Sequence, residues 1–183
     1  MEITQEVIRE IAAGDRKVIL KLYHYSFNVL MGTAVRYKDH KEDQMEIVNN
    51  AFMKIVTKIE SYSPGTAYFS WIKTIVQREI IDDFRKNKRY KALFKFQEET
   101  TSFEMTVEPE VYDYIDNDAL MKILNMLPPA TKLVFNLYGI EGYSSKEIMK
   151  ELDISYETVK WHVKEARKRL KKMIIENKTP LKL

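Results

Sequence analysis

Apolar residues in this 183-residue chain recur at intervals of three and four along most of its length, and one stretch near the middle breaks the pattern. Such spacing lays an apolar stripe along one face of each of a series of helices, and those stripes must be buried against one another. Gly and Pro number only five each, and no two alternating segments flank a tight turn, so no hairpin or sheet competes. The expectation is an all-α fold.

The stripes set the expected elements. A short helix covers residues 3–12 and closes at Gly14. A second covers 15–38 with Val18, Leu22, Tyr25, Val29 and Leu30 on its apolar side. A third starts near Glu42 and carries Ile47, Val48, Ala51, Phe52, Ile55, Val56 and Ile59. The pair Pro64-Gly65 is the clearest turn signal in the chain. A fourth helix runs over 68–88, with Trp71, Ile72, Ile75, Val76, Ile80 and Phe84 as its buried side. Periodicity is lost over 87–117. Helices then resume over 118–127, stop at Pro128-Pro129, continue over 130–138 to Gly139, and return over 145–152 and 156–176.

Charge follows the same division. Residues 1–95 hold 17 Lys and Arg against 12 Asp and Glu; residues 96–118 hold eight acids and no base; residues 119–183 hold 13 bases against seven acids. Two basic lobes therefore flank a segment of charge −8, although the whole chain is only +3. Basic lobes attract phosphates, and an acidic segment stays solvated. The expected organisation is two small helical domains, 1–90 and 118–183, joined by a flexible acidic linker over 91–117.

The absence of cysteine excludes a disulfide scaffold, a thiolate metal site and a cysteine nucleophile. The polar, acidic start of the chain does not read as a signal peptide, and no apolar run approaches the roughly 20 residues of a membrane helix. A cytoplasmic protein without membrane insertion is expected. Catalytic chemistry is thin. His24, His40 and His162 lack metal-ligand spacing, Asp82 and Asp83 point about 100° apart on a helix, and no glycine-rich phosphate loop exists. The expectation is no enzyme, no cofactor and no metal.

The C-terminal lobe carries the sharpest motif. Ser144 is a good N-cap with Glu147 three residues on, a capping box; Ser155 caps the next helix, with Thr158 at its third position. Only a tight turn fits between Leu152 and Ser155, the grammar of a helix-turn-helix that sets its second helix in the DNA major groove. On that helix Val159, Val163, Ala166 and Leu170 form one buried stripe, opposite Glu157, Lys160, Trp161, Lys164, Arg167, Lys168 and Lys171. Helix dipole, free N–H groups and cations together suit phosphates. Trp161 either packs on a neighbouring helix or lies against a base edge or sugar.

At this point the residues carry a resemblance. Leu127-Pro128-Pro129, Leu133-Val134-Phe135-Asn136-Leu137, Glu141-Gly142-Tyr143-Ser144, Glu147-Ile148 and Ile154-Ser155-Tyr156-Glu157-Thr158-Val159-Lys160 resemble the promoter-reading domain of bacterial RNA polymerase sigma factors of the extracytoplasmic-function (ECF) group. Residues 43–52 resemble the helix with which these factors hold the polymerase. Tyr68-Phe69-Ser70-Trp71-Ile72, with Asp82 and Arg85, resembles the helix facing the upstream edge of the melted promoter. The similarity covers residues 15–90 and 118–172.

The resemblance implies a protein that binds core RNA polymerase through its clamp and flap surfaces, recognises a two-part promoter and promotes melting and transcription initiation. It implies contacts to the minus-35 box by Ser145, Lys146, Tyr156, Glu157, Lys160, Trp161, Lys164 and Arg167. Contacts to the melted minus-10 region fall to Tyr62, Ser63, Lys73, Gln77, Arg78 and Arg85, and polymerase contacts to Asp43, Glu46, Ile47, Asn50 and Lys54. The loop 61–67 stands where the family holds a flipped base, and is otherwise an ordinary helix connection. The acidic linker either threads toward the RNA exit path or serves as a solubilising tether. An anti-sigma partner is implied as well. The chain departs from the family at Asn49-Asn50, Glu46, Arg78, Met149 and Glu165, the last at a place that is often basic. The alternative is a free-standing helix-turn-helix regulator that binds duplex DNA without a polymerase; it calls for a receiver-like α/β pattern or a ligand pocket before the motif.

Overall fold

The computed structural model describes residues 1–86 and 117–178, with side chains at 1–86 and 121–174. Every regular element among these residues is helical, as the periodicity demands. The expected linker lies, up to residue 116, outside the described residues. The chain divides into two compact units, Met1–Phe84 and Arg85–Leu183.

In the first unit α1 (Gln5–Ala12) begins at the Thr4 cap, whose hydroxyl accepts from the Val7 N–H at 3.3 Å. Gly14 at φ 83° reverses the chain, and the Asp15 carboxylate then caps α2 (Arg16–Ala34) by accepting from the Lys17 and Val18 N–H groups at 2.8 and 3.1 Å. α3 (Lys41–Thr57) packs along α2, and α1 lies on α2 and on the 3₁₀ turn Ile59–Ser61. The core holds Leu22, Leu30, Ile47, Val48, Ala51, Ile55 and Ile59, joined by Ile72, Val76 and Ile80 of α4 (Tyr68–Lys86). On α2 the stripe is narrower than its apolar residues suggest. Val18, Tyr25 and Val29 are only half-buried while Ser26 is buried.

Polar groups fasten α4 to the other helices. The Ser26 and Tyr68 hydroxyls are 2.8 Å apart, and Ser26 also donates to the Leu22 carbonyl at 2.8 Å. Burial pushes the Tyr68 phenol up to about 12, against the Ser26 bond that lowers it. The Lys54 ammonium meets Glu79 at 2.5 Å and Asp82 at 3.2 Å, while Asp83 pairs with Lys38. Glu79, buried within this side of the helix, thus has its charge matched.

The second unit is built on its last helix. α5 (Asn117–Asn125), α6 (Pro129–Phe135) and α7 (Ser145–Leu152) all pack on α8 (Tyr156–Lys178). Ile123, Leu124 and Leu127 meet Ala166 and Leu170, with Phe135, Met173 and Ile174 around them. One expected helix end is corrected. The chain does not stop at Gly139 but continues through it as a π-helical turn, Asn136–Ile140, in which the Glu141 N–H reaches the Asn136 carbonyl at 2.9 Å. The Phe135 ring lies over Gly139, where a Cβ would meet it at 3.3 Å. The reversal comes at Gly142, φ 78°.

Ser26→Ala is expected to destabilise the protein by about 1–3 kcal/mol, since it strands the buried Tyr68 hydroxyl. Adding Tyr68→Phe should cost less than the two single changes summed, a comparison that urea unfolding of the full chain makes directly.

Candidate nucleic-acid interfaces

Two regions gather the expected site residues, one in each unit. In the second, the expected caps form as hydrogen bonds. Ser144 Oγ accepts from the Glu147 N–H at 3.3 Å and the Glu147 carboxylate accepts from the Ser144 N–H at 2.8 Å, closing the capping box. The Ser144 hydroxyl also donates to the Glu147 carboxylate at 2.7 Å, and this bond, followed by the one from the Ser144 N–H, holds the exposed carboxyl below its ordinary range. α7 ends at Asp153, the one non-glycine among the described residues with positive φ, at 53°. Ser155 then caps α8 by accepting from the Thr158 N–H at 3.1 Å. Left-handed Asp153 permits the two-residue passage into the next cap.

On α8 the expected stripe is buried: Val159 and Ala166 fully, Val163 and Leu170 to 8% exposure. At 100° per residue Lys160, Lys164, Arg167, Lys168, Lys171 and Glu157 then share an arc of about 100° away from the stripe, and all six are exposed. Tyr156 is exposed beside them, with the Lys160 ammonium 5.4 Å from its ring centroid; Arg167 lies 5.7 Å from the ring of Tyr138. Lys146 is exposed and Ser145 half-buried on the first turn of α7. Trp161 is half-buried at the rim of the arc, its ring edge-on to His162 at 4.9 Å. Glu165 falls about 60° outside the arc and pairs with Arg169 at 2.6 Å.

His162 is the residue that the sequence left unassigned. It lies at the edge of the buried stripe, fully covered, with Nδ1 3.0 Å from the Thr131 hydroxyl of α6. Burial lowers its pKa from 6.5 to about 4, against a small opposing pull from Glu165. Its place between Val159 and Val163, three and one residues away, was the available signal.

In the first unit the loop 61–67 is a built turn. The Tyr62 hydroxyl donates to the Thr66 carbonyl at 2.7 Å, the Thr66 hydroxyl donates to the Ser63 carbonyl at 2.7 Å, and Gly65 adopts φ 85°. Tyr62 packs edge-on to Tyr68 at 5.5 Å and against Trp71 at 5.4 Å. Tyr25 stacks on Tyr68 and meets Phe69 at 5.0 Å. The rings of Tyr25, Tyr62, Tyr68 and Phe69, the tip 64–66 and residues 1–5 line a recess of about 500 Å³.

Several expected contact residues are not where a partner would meet them. Tyr62 is 5% exposed and Gln77 7%, so Tyr62 holds the loop from beneath and Gln77 belongs to the buried side of α4 rather than its polar side. Ile47 is core at 1% exposure, and the Lys54 charge is engaged by Glu79 and Asp82. Ser63, Arg78 and Arg85 are exposed and Lys73 half-buried. On α3, Glu46, Asn49, Asn50 and Met53 are exposed on one face, with Asp43 half-buried at its start. Asn49 accepts from the Tyr23 hydroxyl at 3.4 Å. Met53, 61% exposed, was missed; its i+7 spacing from Glu46 marks the same face. Trp71, expected in the core, is half-buried at its rim.

Among the described residues no group of His, Cys, Asp or Glu is arranged to hold a metal, and no helix is long and apolar enough to cross a membrane. Asp82 and Asp83 diverge to different lysines, Lys54 and Lys38.

Comparison with known proteins places these features in context. The family model "ECF sigma factor" matches residues 1–176. RNA polymerase sigma factor SigZ of Bacillus subtilis is 25% identical over 142 residues, 75% of this chain and 78% of its own. ECF RNA polymerase sigma factor SigE of Mycolicibacterium smegmatis is 24% identical over 140 residues, 75% of this chain; the chain spans about half of that protein, 54%. Among solved structures, the sigma factor RpoE in complex with the anti-sigma factor NepR from Bartonella quintana superposes with a TM-score of 0.49 at 22% identity, over 84% of this chain and 94% of that one.

The buried histidine makes the second unit acid-sensitive. Below pH 6.5 the unfolded chain binds a proton that folded His162 refuses until about pH 4, so stability falls across that window by up to about 3 kcal/mol. His162→Gln should flatten the fall, as urea midpoints at pH 7 and pH 4.5 would show.

Proposed function

The chain belongs to the ECF sigma factor family, matched over residues 1–176, and from that premise we propose that it binds core RNA polymerase, recognises a two-part promoter and promotes DNA melting and the start of transcription. The observation that carries the promoter-reading part is the basic arc of α8, held opposite a buried stripe and entered through a capped, left-handed turn. A helix so presented offers cations to both phosphate walls and side chains to the groove floor. In this reading Lys160, Lys164 and Arg167 contact the minus-35 box, with Tyr156, Glu157 and Trp161 at its edge and Ser145 and Lys146 on phosphate beside it.

The first unit takes the melted region. Extracting a base costs a few kcal/mol, offset by stacking and hydrogen bonds in a receiving site. The stiff 61–67 turn over an aromatic recess supports that role, with Ser63 at its tip and Lys73, Arg78 and Arg85 on the neighbouring helix as phosphate partners. The exposed α3 face of Glu46, Asn49, Asn50 and Met53, with Asp43, is the polymerase contact. It relies more on amide and apolar contact than on charge, since Lys54 is engaged internally. The domain division 1–90, 91–117 and 118–183, a cytoplasmic location, no catalysis of its own and an anti-sigma partner complete the reading.

Transcription of a random promoter library by core polymerase with this protein should yield start sites preceded by two fixed boxes; starts no different from core alone would defeat the proposal. Within it, Lys164→Ala should weaken binding to an upstream-box duplex by about 1–3 kcal/mol if Lys164 contacts a base.

A further inference from the structure

We propose that residues 1–5 form a wall of the aromatic recess in the first unit, and that the Glu2 carboxylate there selects an unstacked base bearing an exocyclic amine over thymine. The inference deepens the promoter-melting reading and rests on it.

Residues 1–5 line the recess together with the loop tip. They are held in place at two points. Ile3 is buried to 6% exposure in the core, and the Thr4 hydroxyl caps α1, which itself packs on the 3₁₀ turn leading into the loop. The rings of Tyr25, Tyr62, Tyr68 and Phe69, the last 42% exposed, complete the lining. The volume of about 500 Å³ lies within the range of sites for small flat ligands, about 300–1,000 Å³.

The lining points to the class of ligand. It contains no Lys or Arg to clamp a phosphate, and Glu2 is its only charged side chain. An uncharged flat ring with a π face fits instead. A carboxylate only accepts hydrogen bonds. Cytosine, adenine and guanine each offer an amino group to it, whereas thymine offers two carbonyl oxygens around a single N–H. Gln5 and Thr4, which can donate or accept, are indifferent to that distinction. The selection therefore falls on Glu2, an exposed residue whose replacement leaves the buried anchor Ile3 untouched.

The test compares holoenzymes carrying the wild-type chain and Glu2→Gln on a promoter library randomised through the melted box. Wild type should favour amine-bearing bases over thymine at one position by roughly 10-fold. Glu2→Gln, able to donate as well as accept, should reduce that preference to within about 2-fold at this position alone, with the upstream box unchanged. If wild type starts transcription but Glu2→Gln keeps every base preference, or if wild type favours thymine there, the assignment of Glu2 is overturned and the sigma reading stands. If wild type gives no promoter-specific start, the sigma reading itself falls, and the assignment with it.

Discussion

Burial of Val159, Val163, Ala166 and Leu170 against α5, α6 and α7 fixes the rotation of the last helix, and through that rotation everything the second unit can present to a partner. Each aliphatic side chain withdrawn from water contributes about 1.5–3 kcal/mol, so turning α8 by even a quarter turn would forfeit several of these contributions together. The cations are carried passively to the opposite side. Like charges gathered on an arc of about 100° repel one another, and the apolar stripe holds them there. The Thr131–His162 bond adds direction to this packing, since a hydroxyl and a ring nitrogen meet in few orientations.

The first unit solves a related problem by a different route. Its fourth helix places Glu79, Asp82 and Asp83 next to the α2–α3 pair, where Lys54 pairs with the first two and Lys38 with the third. The acids keep α4 in register, and the same helix leaves Arg78 exposed. Tyr68, bonded to Ser26 beneath and ringed by Tyr25, Tyr62 and Trp71, ties the loop to the core. A turn fastened in this way can meet a base without first ordering itself, which lowers the entropy lost on binding.

Much of this was legible in the residues because local rules and global packing agree. The caps at Ser144 and Ser155 and the α8 stripe required only spacing to read. What failed to show depended on how particular side chains pack, which spacing alone does not give. Gln77 is polar and lies in a helix full of polar partners, yet its angle turns it inward; Tyr62 resembles a loop-tip aromatic until its hydroxyl is seen to bond Thr66. Ile47 sits within the polymerase-like motif but belongs to the stripe packed on α2. The π turn through Gly139 lies under the Phe135 ring, a contact no propensity encodes. The recess was invisible because its walls come from three separate parts of the chain.

The proposed function divides labour between duplex reading in one unit and single-strand capture in the other. Its most direct measurement is holoenzyme affinity for two probes, an upstream-box duplex and a forked template whose downstream box is unpaired, with Lys160→Ala and Phe69→Ala. Lys160→Ala should lower affinity and salt dependence only on the duplex probe, and Phe69→Ala only on the fork, each by roughly 10-fold. Equal losses on both probes by either variant would contradict the division.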